Sequence, residues 1–488
     1  MKLSKLLNCL NEYTVGTSQY SDVNITGIQM DSRKVVKGDL FVAISGFESD
    51  GHKFIEQAIV NGASAVVGEQ SLSLKVPYFI VNNSRLALGR LASMFFDFPS
   101  KRKKVIGITG TNGKTTVSYM LKHILESNGF STALFGTVSY TVNNQVYEST
   151  NTTPNPIQLQ ELLAKSLDEF AILEVSSHAL TQARIEGLEI DYGLFTNLSH
   201  EHLDYHGNMQ AYFKAKASMY NFLKPDGKAL VSEFDFWGDK LSNVLGRKEI
   251  PVRTLGCSGN HKLIIEKINL NGETEFTVAI AENNYNINLP CPGLHNVYNA
   301  ALAFLTAYEI GINPKQIVKA LESFPGVPGR FEVVQHPRGA KFIIDYAHTK
   351  DAFEFCLQTA KEHKAKKITH IYGFRGGRDK MKRENMIKAS SSMCDHFILT
   401  LDDLNGIEKE EMLNELSKLN LQFGQNKGKV IADRTIAIQT AWKKAQAGEW
   451  IFITGKGPEE YETEFTLPVS SDKEVLTYLQ EGISEHFA

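Results

Sequence analysis

Apolar positions along this chain follow two rhythms in turn. Short apolar runs at LFVAI (40–44), ASAVVGE (63–69) and PYFIVN (77–82) have the length of buried strands, while KFIEQAIVNG (53–62) and RLALGRLASMFF (85–96) repeat apolar residues at helical spacing. The first hundred residues therefore predict a small α/β module. After FPSKRKK (98–104), the pattern predicts a buried strand at KKVI (103–106), a glycine-rich turn at GITGTNGKTT (107–116) and a helix at VSYMLKHILESNG (117–129). This block closes with a helical run at 295–312 and a second helix opened by Asn313 and Pro314, a cap and first-turn pair. FPGVPGRFE (324–332) then marks a linker. Beyond it, AKFIIDYAH (340–348), KITHIYG (367–373), HFILTL (396–401) and EWIFITGKG (449–457) are strands that each run into a polar loop. In open parallel sheets ligands sit beyond the carboxyl ends of strands, so these four loops should meet in one crevice.

Length and composition narrow the picture. A chain of 488 residues exceeds one core, and the pattern breaks divide it into 1–101, 102–328 and 329–488. With 42% hydrophobic and 22% charged residues the composition is that of a soluble globular protein. Net charge is −3 and KRKK (101–104) is the one basic block, which reads as a solvated linker, so no nucleic-acid partner is expected. Five cysteines without C-x-x-C spacing argue against a disulfide framework or a structural zinc site. MKLSKLLNCLNEY lacks a signal-peptide pattern, and no apolar run reaches the length of a membrane span. The expectation is a cytoplasmic monomer without membrane insertion.

The chemistry starts at the glycine-rich turn. Gly110, Thr111, Asn112 and Gly113 can close backbone N–H groups on phosphate oxygens at a helix N-terminus. Lys114 adds a point charge, and Thr115, followed by Thr116, offers a hydroxyl to Mg2+. The first glycine of the usual G-x-x-x-x-G-K-[ST] form is displaced, with Ile108 at that position between Gly107 and Gly110. Downstream, the apolar strand of FAILEVSSHAL (170–180) delivers Glu174 at its end, where a carboxylate can face the Mg2+ of a bound nucleotide or merely join a surface pair. His200, His202, Asp204 and His206 lie close together in TNLSHEHLDYHG, and a zinc hydrolase stays compatible with that spacing, although H-E-x-x-H is absent.

These segments occur in a recognisable order. GTNGKTT, NTTP (151–154), EVSSHAL, TNLSHEHLDYHG, the lysine of AKA at Lys216, PGLHNVYNA (292–300), PGRFE (328–332), DYAH (345–348) and GKG (455–457) resemble the Mur ligases. With DSRKVVKGDLFVA (31–43) near the start, the chain most resembles the MurE branch, which adds the third amino acid to a UDP-linked muropeptide; folylpolyglutamate synthases share the general plan. The resemblance spans essentially the whole chain. It implies an α/β protein of three domains: an N-terminal domain for the UDP-muropeptide, a central P-loop ATPase and a C-terminal Rossmann-like domain for the amino acid. It implies that Met30, Ser32, Phe47, Glu48 and Ser49 with Asn151, Thr152, Thr153, Ser176, Gln182 and Arg184 contact the muropeptide. Asn296, Asn299, Arg330, Asp345 and His348 are implied on the ATP side. Glu174, His202 and Thr115 match Mg2+ ligands, two ions being expected, and Lys216 matches a lysine that is carbamylated in the family. Lys114, Glu174, His202 and Lys216 would form the catalytic set.

The amino-acid pocket departs from the family pattern. Asp402, Asp403, Leu404 and Asn405 stand where Asp-Asn-Pro-Arg reads the distal carboxylate of meso-diaminopimelate. GFRGGRDK keeps Arg378 but adds Arg375, and GKGPE keeps Gly455 and Glu459 but has Pro458 where histidine is common. Two acids side by side suit a side-chain ammonium. The expected activity is ATP-dependent addition of L-lysine or another diamino acid to UDP-MurNAc-L-Ala-D-Glu through an acyl phosphate. The alternatives are a related ligase of a specialised pathway with another amino acid or acceptor, and a nucleotide-dependent regulator that ligates nothing.

Overall fold

The computed structural model describes residues 1–10, 12–16, 22–46, 49–270, 273–377 and 380–484. Two compact units emerge: Met1–Ile264 with Leu302–Asn313, and Ile265–Ala301 with Pro314–Ala488.

In the first unit, Thr14–Val15, Tyr78–Ile80, Ala65–Gly68, Asp39–Val42 and Gly27–Gln29 form a five-stranded sheet in that order. Its helix Ser84–Phe95 is capped by Asn83, whose side chain accepts from the N–H groups of Arg85 and Leu86. That helix docks on the segment 186–187: Arg90 pairs with Glu186 at 2.8 Å, and Ser93 Oγ donates to the Gly187 carbonyl at 2.8 Å. Gly89 permits the close approach, because a Cβ there would lie 2.5 Å from Glu186 Cβ.

The larger sheet of this unit has six parallel strands in the order Val252–Gly256, Leu223–Ser232, Ile190–Phe195, Lys104–Thr109, Phe170–Glu174 and Thr132–Phe135. The antiparallel strands Tyr140–Val142 and Gln145–Tyr147 extend it. Their turn is at Asn143 and Asn144, both at positive φ, as a two-residue hairpin requires. The phosphate-loop strand Lys104–Thr109 lies centrally, fully buried from Val105 onward. KRKK is solvated at Lys101, Arg102 and Lys104, as expected, but it is not a free linker. Lys103 Nζ donates to the Ser166 and Asp168 carbonyls at 2.6 and 2.8 Å, and Lys104 pairs with Asp191 at 3.2 Å, so tertiary partners hold the run at the strand entrance.

In the second unit, Thr274–Ile280 and Asn283–Leu289 form an antiparallel hairpin. The helix Pro314–Glu322 begins at the expected proline. A six-stranded sheet follows, ordered Glu332–Gln335, Lys341–Asp345, Glu449–Thr454, Lys367–Phe374, His396–Leu401 and Gly428–Val430, parallel except for its first pair. Phe353, Leu357, Ile387 and Met412 from three helices cover one face, and Ile438, Trp442, Val475 and Leu476 from two others cover the opposite one. This is a doubly wound sheet, and its chain order reverses between Lys341–Asp345 and Lys367–Phe374 around the inserted strand Glu449–Thr454.

A buried ion pair fastens the second face. Arg434 donates through Nε and a terminal nitrogen to both oxygens of Asp472 at 2.7 Å, and to the Thr454 carbonyl at 3.0 Å, with neither ionic side chain exposed. Tyr461 adds a 2.8 Å hydroxyl bond to Asp472. Asp472→Ala strands the guanidinium without its counter-ion and should lower unfolding free energy by about 3–5 kcal/mol. The urea transition of the full chain reads this out, and an unchanged midpoint would contradict the role given to the pair.

Candidate functional site

The phosphate loop owes its shape to two glycines. Gly110 (φ 148°) and Gly113 (φ 86°) occupy backbone conformations that side chains disfavour, and a Cβ on Gly110 would fall 1.8 Å from Thr196 Oγ1. The helix Lys114–Ser127 starts immediately after the loop, so its unpaired N–H groups face the space a phosphate would fill. The strand end at Thr196 and Asn197 buttresses the loop. Thr196 Oγ1 donates to the Asn112 carbonyl at 2.6 Å, and Asn197 Oδ1 accepts from the Asn112 N–H at 3.0 Å. Lys114 Nζ donates to the Gly110 and Thr111 carbonyls at 2.9 and 2.8 Å, and Thr116 follows within the helix.

Glu174 ends its strand with no exposed surface. One carboxylate oxygen accepts from Thr115 Oγ1 at 2.9 Å and Thr137 Oγ1 at 3.0 Å, the other from the Thr137 N–H at 3.2 Å. The fit depends on Gly136, where a Cβ would sit 2.1 Å from Glu174 Oε1. A buried carboxylate whose donors are hydroxyls and an N–H, beside a phosphate loop, is suited to Mg2+, which takes one or two carboxylates together with nucleotide phosphates. Gly136 and Thr137 were not singled out in the sequence, and Thr196 and Asn197 entered it only as the start of TNLSHEHLDYHG, without a role; position just past parallel strands of the same sheet was the further signal available.

Lys216 is the most unusual group nearby. It is 1% exposed, its Nζ donates to the Gly110 carbonyl at 2.7 Å, and it lies 4.7 Å from the Tyr212 ring centroid. Burial, and then the charge of Lys114 on the same carbonyl, push its pKa well below the ordinary lysine value. Tyr212 in turn shares a 3.2 Å hydroxyl contact with Thr111.

His202 caps the short helix Leu203–His206 in a left-handed conformation (φ 56°). Its ring meets His178 edge-on at 4.8 Å, and desolvation followed by Lys114 and Lys216 pushes its pKa down. His178, part of EVSSHAL but given no role in the sequence reading, is pushed down to about 4, mainly by burial and then by His202. His206 is engaged with Ser177 Oγ at 3.0 Å, and His200 is exposed. Among the described residues no three His, Cys, Asp or Glu side chains form a group that could hold a metal by themselves, which removes the support for a zinc centre of His200, His202, Asp204 and His206.

The muropeptide candidates of this unit converge on Glu174. Thr153 Oγ1 donates to the Glu174 carbonyl at 2.8 Å and accepts from the Ser176 N–H at 3.1 Å. Thr152 reaches Thr137 at 3.2 Å, and the Asn151 carbonyl accepts from Tyr140. Arg184 donates to the Thr153 carbonyl at 3.0 Å and to Gln182 at 2.9 Å. Met30, Ser32 and Ser49 lie with the five-stranded sheet, Met30 exposed and Ser32 buried; Phe47 and Glu48 fall outside the described residues.

In the second unit, the four loops meet as the strand order requires. Lys456 Nζ contacts both oxygens of Asp403 at 2.7 Å and lies 3.8 Å from Asp402, with all three side chains buried. Arg375 pairs with Glu459 and lies 3.8 and 4.0 Å from Asp402 and Asp403. Gly376 N–H donates to the Asp403 carbonyl at 2.8 Å beneath Leu404, and Asn405 donates to the Gly376 carbonyl at 3.1 Å. Gly455 N–H donates to the Asp345 carbonyl at 3.2 Å. Asp345 accepts from the Phe331 and Ala347 N–H groups at 2.7 Å, His348 contacts the Tyr346 carbonyl, and Arg330 stacks 4.3 Å from the Tyr346 ring. Asn296 and Asn299 are buried one turn apart on Leu294–Ile310. Arg378 falls outside the described residues. Contrary to the reading from sequence, the two acids do not stand open for a ligand ammonium: Lys456 and Arg375, contributed by other loops, already counter them.

Known proteins resemble the chain over nearly its whole length. The family models described as Mur ligase middle domain, as Mur ligase, glutamate ligase domain and as Mur ligase family, catalytic domain match residues 108–307, 329–457 and 24–95. UDP-N-acetylmuramoyl-L-alanyl-D-glutamate–2,6-diaminopimelate ligases of Alkaliphilus oremlandii and Bacillus velezensis are each 36% identical, over 90% and 95% of this chain and 91% and 95% of theirs. A solved structure with the same enzyme title superposes over 100% of both chains with TM-score 0.69 and 26% identity. The MurF ligase of Thermotoga maritima in complex with ADP shares the fold, with TM-score 0.63 at 19% identity over 89% of this chain and 95% of its own.

Gly136→Ala drives a methyl group into the Glu174 carboxylate without touching the loop itself. Displacement on the ångström scale should lower phosphate release from ATP about 100-fold. The thermal transition should fall by only a few degrees, so activity and melting measured together separate misplacement from unfolding.

Proposed function

The chain belongs to the Mur ligase family, and on that premise we propose that it joins a diamino acid, 2,6-diaminopimelate in first place, to the D-glutamyl end of UDP-MurNAc-L-Ala-D-Glu, in peptidoglycan precursor synthesis. It is an ATP-dependent amide-forming ligase. The observation that carries this function is the buried Glu174 carboxylate, bonded to Thr115 of the phosphate loop and surrounded by Thr137, Thr152 and Thr153. We place the domain boundaries at 101/102 and 328/329, and the enzyme in the cytoplasm as a monomer; no described helix is long and apolar enough to cross a membrane.

In the proposed reaction the loop N–H groups and Lys114 hold the triphosphate, and Thr115, Glu174 and His202 are the residues that would hold Mg2+. The ion would offset charge on the transferring phosphoryl group. The γ-phosphoryl group passes to a carboxylate oxygen of the D-glutamyl residue as its bond to ADP breaks. The amine nitrogen then attacks the acyl carbon, phosphate departs with the bonding electrons, and the nitrogen loses a proton. Arg184, held by Thr153 and Gln182, is suited to binding a substrate carboxylate near Glu174. Ser176, Asn151, Thr152, Met30, Ser32 and Ser49 complete the proposed muropeptide contacts.

Lys216 has the chemistry for carbamylation. Its depressed pKa favours the neutral amine, whose nitrogen adds to the carbon of CO2 with loss of one proton. The product is an anion with two oxygens, able to serve a second Mg2+ where an ammonium would repel it. For the amino acid, the neutralised Asp402 and Asp403 remove the case for L-lysine in particular, and the full-length relatives are named for 2,6-diaminopimelate.

Phosphate release with ATP, Mg2+ and UDP-MurNAc-L-Ala-D-Glu should depend on an added amine. meso-Diaminopimelate should give a product whose mass rises by one residue, and L-lysine a slower reaction; release with neither amine would refute the assignment. In protein equilibrated with 13C-bicarbonate, a carbamate carbon resonance should appear and be absent from Lys216→Ala. A wild-type spectrum without it would exclude the modification.

A further inference from the structure

Tyr346 opens the loop that leaves the strand Lys341–Asp345, and the proposed reaction gives it no part. Three segments close on its half-buried side chain. The Arg330 guanidinium stacks 4.3 Å from the ring centroid, and the Arg375 guanidinium lies 5.8 Å from it, both within the range of attraction between a cation and an aromatic ring. The third segment holds Gly457, Pro458 and Glu459. A Cβ on Gly457 would fall 2.8 Å from the Gly329 carbonyl oxygen and 2.9 Å from Tyr346 Cβ, and one on Gly329 only 2.2 Å from the Pro458 nitrogen. Both glycines have positive φ, 57° and 64°, so the close approach is built into the backbone.

The charges around this ring are unequal in their freedom. Arg375 pairs with Glu459, and these two side chains keep 23% and 36% of their surface exposed, so a ligand can reach both. Asp402, Asp403 and Lys456 beside them are buried. An ion pair of two long, partly exposed side chains is weak on its own and does little to fix either partner. Tyr346 supplies what is missing. Its ring flanks Arg375, and burial followed by the Glu459 carboxylate raises the pKa of its phenol, which therefore keeps its proton and donates to that carboxylate.

We infer that Tyr346 is a positioning residue for the incoming amine: its hydroxyl orients Glu459 and its ring fixes Arg375, the two reachable charges with which the crevice meets the far end of the amino acid. The inference rests on the ligase reaction proposed above. Tyr346 acts through these two groups and needs no contact of its own with the ligand. By holding both before the amine arrives, it lowers the ordering cost of binding. The ring also carries Arg330, whose Nε is buried without a hydrogen-bond partner among the described residues, so loss of the ring frees two guanidinium groups at once.

The test measures phosphate release by the full chain with ATP, Mg2+, UDP-MurNAc-L-Ala-D-Glu and varied meso-diaminopimelate. Tyr346→Phe keeps the ring and loses the hydroxyl; it should raise the KM of the amine about tenfold, the worth of one hydrogen bond to a charged group. Its kcat and its KM values for ATP and the muropeptide should stay within about twofold of wild type, and its melting temperature should be unchanged. Tyr346→Leu removes the ring as well and should raise the amine KM about 100-fold. In a Glu459→Gln background, Tyr346→Phe should add less than about twofold, because the two groups act as one. A purely structural role would instead weaken all three substrates alike and persist in the Glu459→Gln background. An unchanged amine KM in Tyr346→Phe, or an equal loss for every substrate, would overturn the inference and leave the ligase reading standing. Wild-type protein whose phosphate release ignores every amine would overturn that reading, and the inference with it.

Discussion

A carboxylate without exposed surface has to be met by donors, and much of the first unit is organised around meeting one. Glu174 is held by hydroxyl groups from two segments and by the Thr137 N–H, which share its two oxygens. Burying an ion costs several kcal/mol unless its lone pairs are satisfied, so two segments separated in sequence are fixed relative to one group. Gly136 is the condition for this closeness, because only a residue without Cβ leaves room. The parallel sheet makes the meeting possible. With Lys104–Thr109 between Phe170–Glu174 and Ile190–Phe195, the phosphate loop, the carboxylate and the Thr196–Asn197 buttress emerge side by side at one edge.

Lys216 depends on the same loop. Two lysine nitrogens share the Gly110 carbonyl, and two ammonium groups at that distance would repel each other. The more deeply buried one gives way: burial and the charge of Lys114 hold the Lys216 pKa well below the ordinary lysine value, the condition that its proposed carbamylation requires.

Those parts of the molecule that depend on local backbone demands were legible in the sequence. The phosphate loop leaves its mark because positive φ and close approach need glycine, and the helix at Pro314 because proline suits a first turn. The buried strands were visible as apolar runs, which is how Glu174 came to be placed at a strand end. What stayed hidden depends on partners distant along the chain. Lys103 looks like part of a solvated basic run until the Ser166 and Asp168 carbonyls, more than sixty residues away, come to meet it. Thr137 bears no periodic or motif signal, and His178 lies in EVSSHAL without a role assigned to it there; the sheet order brings both to the site. Arg375 was weighed beside Asp402 and Asp403 because it stands in a neighbouring loop motif, whereas Lys456, at another strand end, was not.

That last displacement bears on which amine the crevice can take. Among its described residues, Asp402, Asp403 and Glu459 face Arg375 and Lys456, and the pairs are already formed. A ligand enters such a network by exchanging partners, and an exchange that leaves one buried charge unmatched is costly. An ammonium arriving alone at Glu459 would detach Arg375 and leave its guanidinium without that carboxylate. A side chain ending in both an ammonium and a carboxylate can take Glu459 with one group and Arg375 with the other, so that every charge remains paired. If the amine of the proposed reaction enters here, the crevice favours a diamino diacid over a simple diamino acid, through an arginine that comes from a different strand end than the acids beside it.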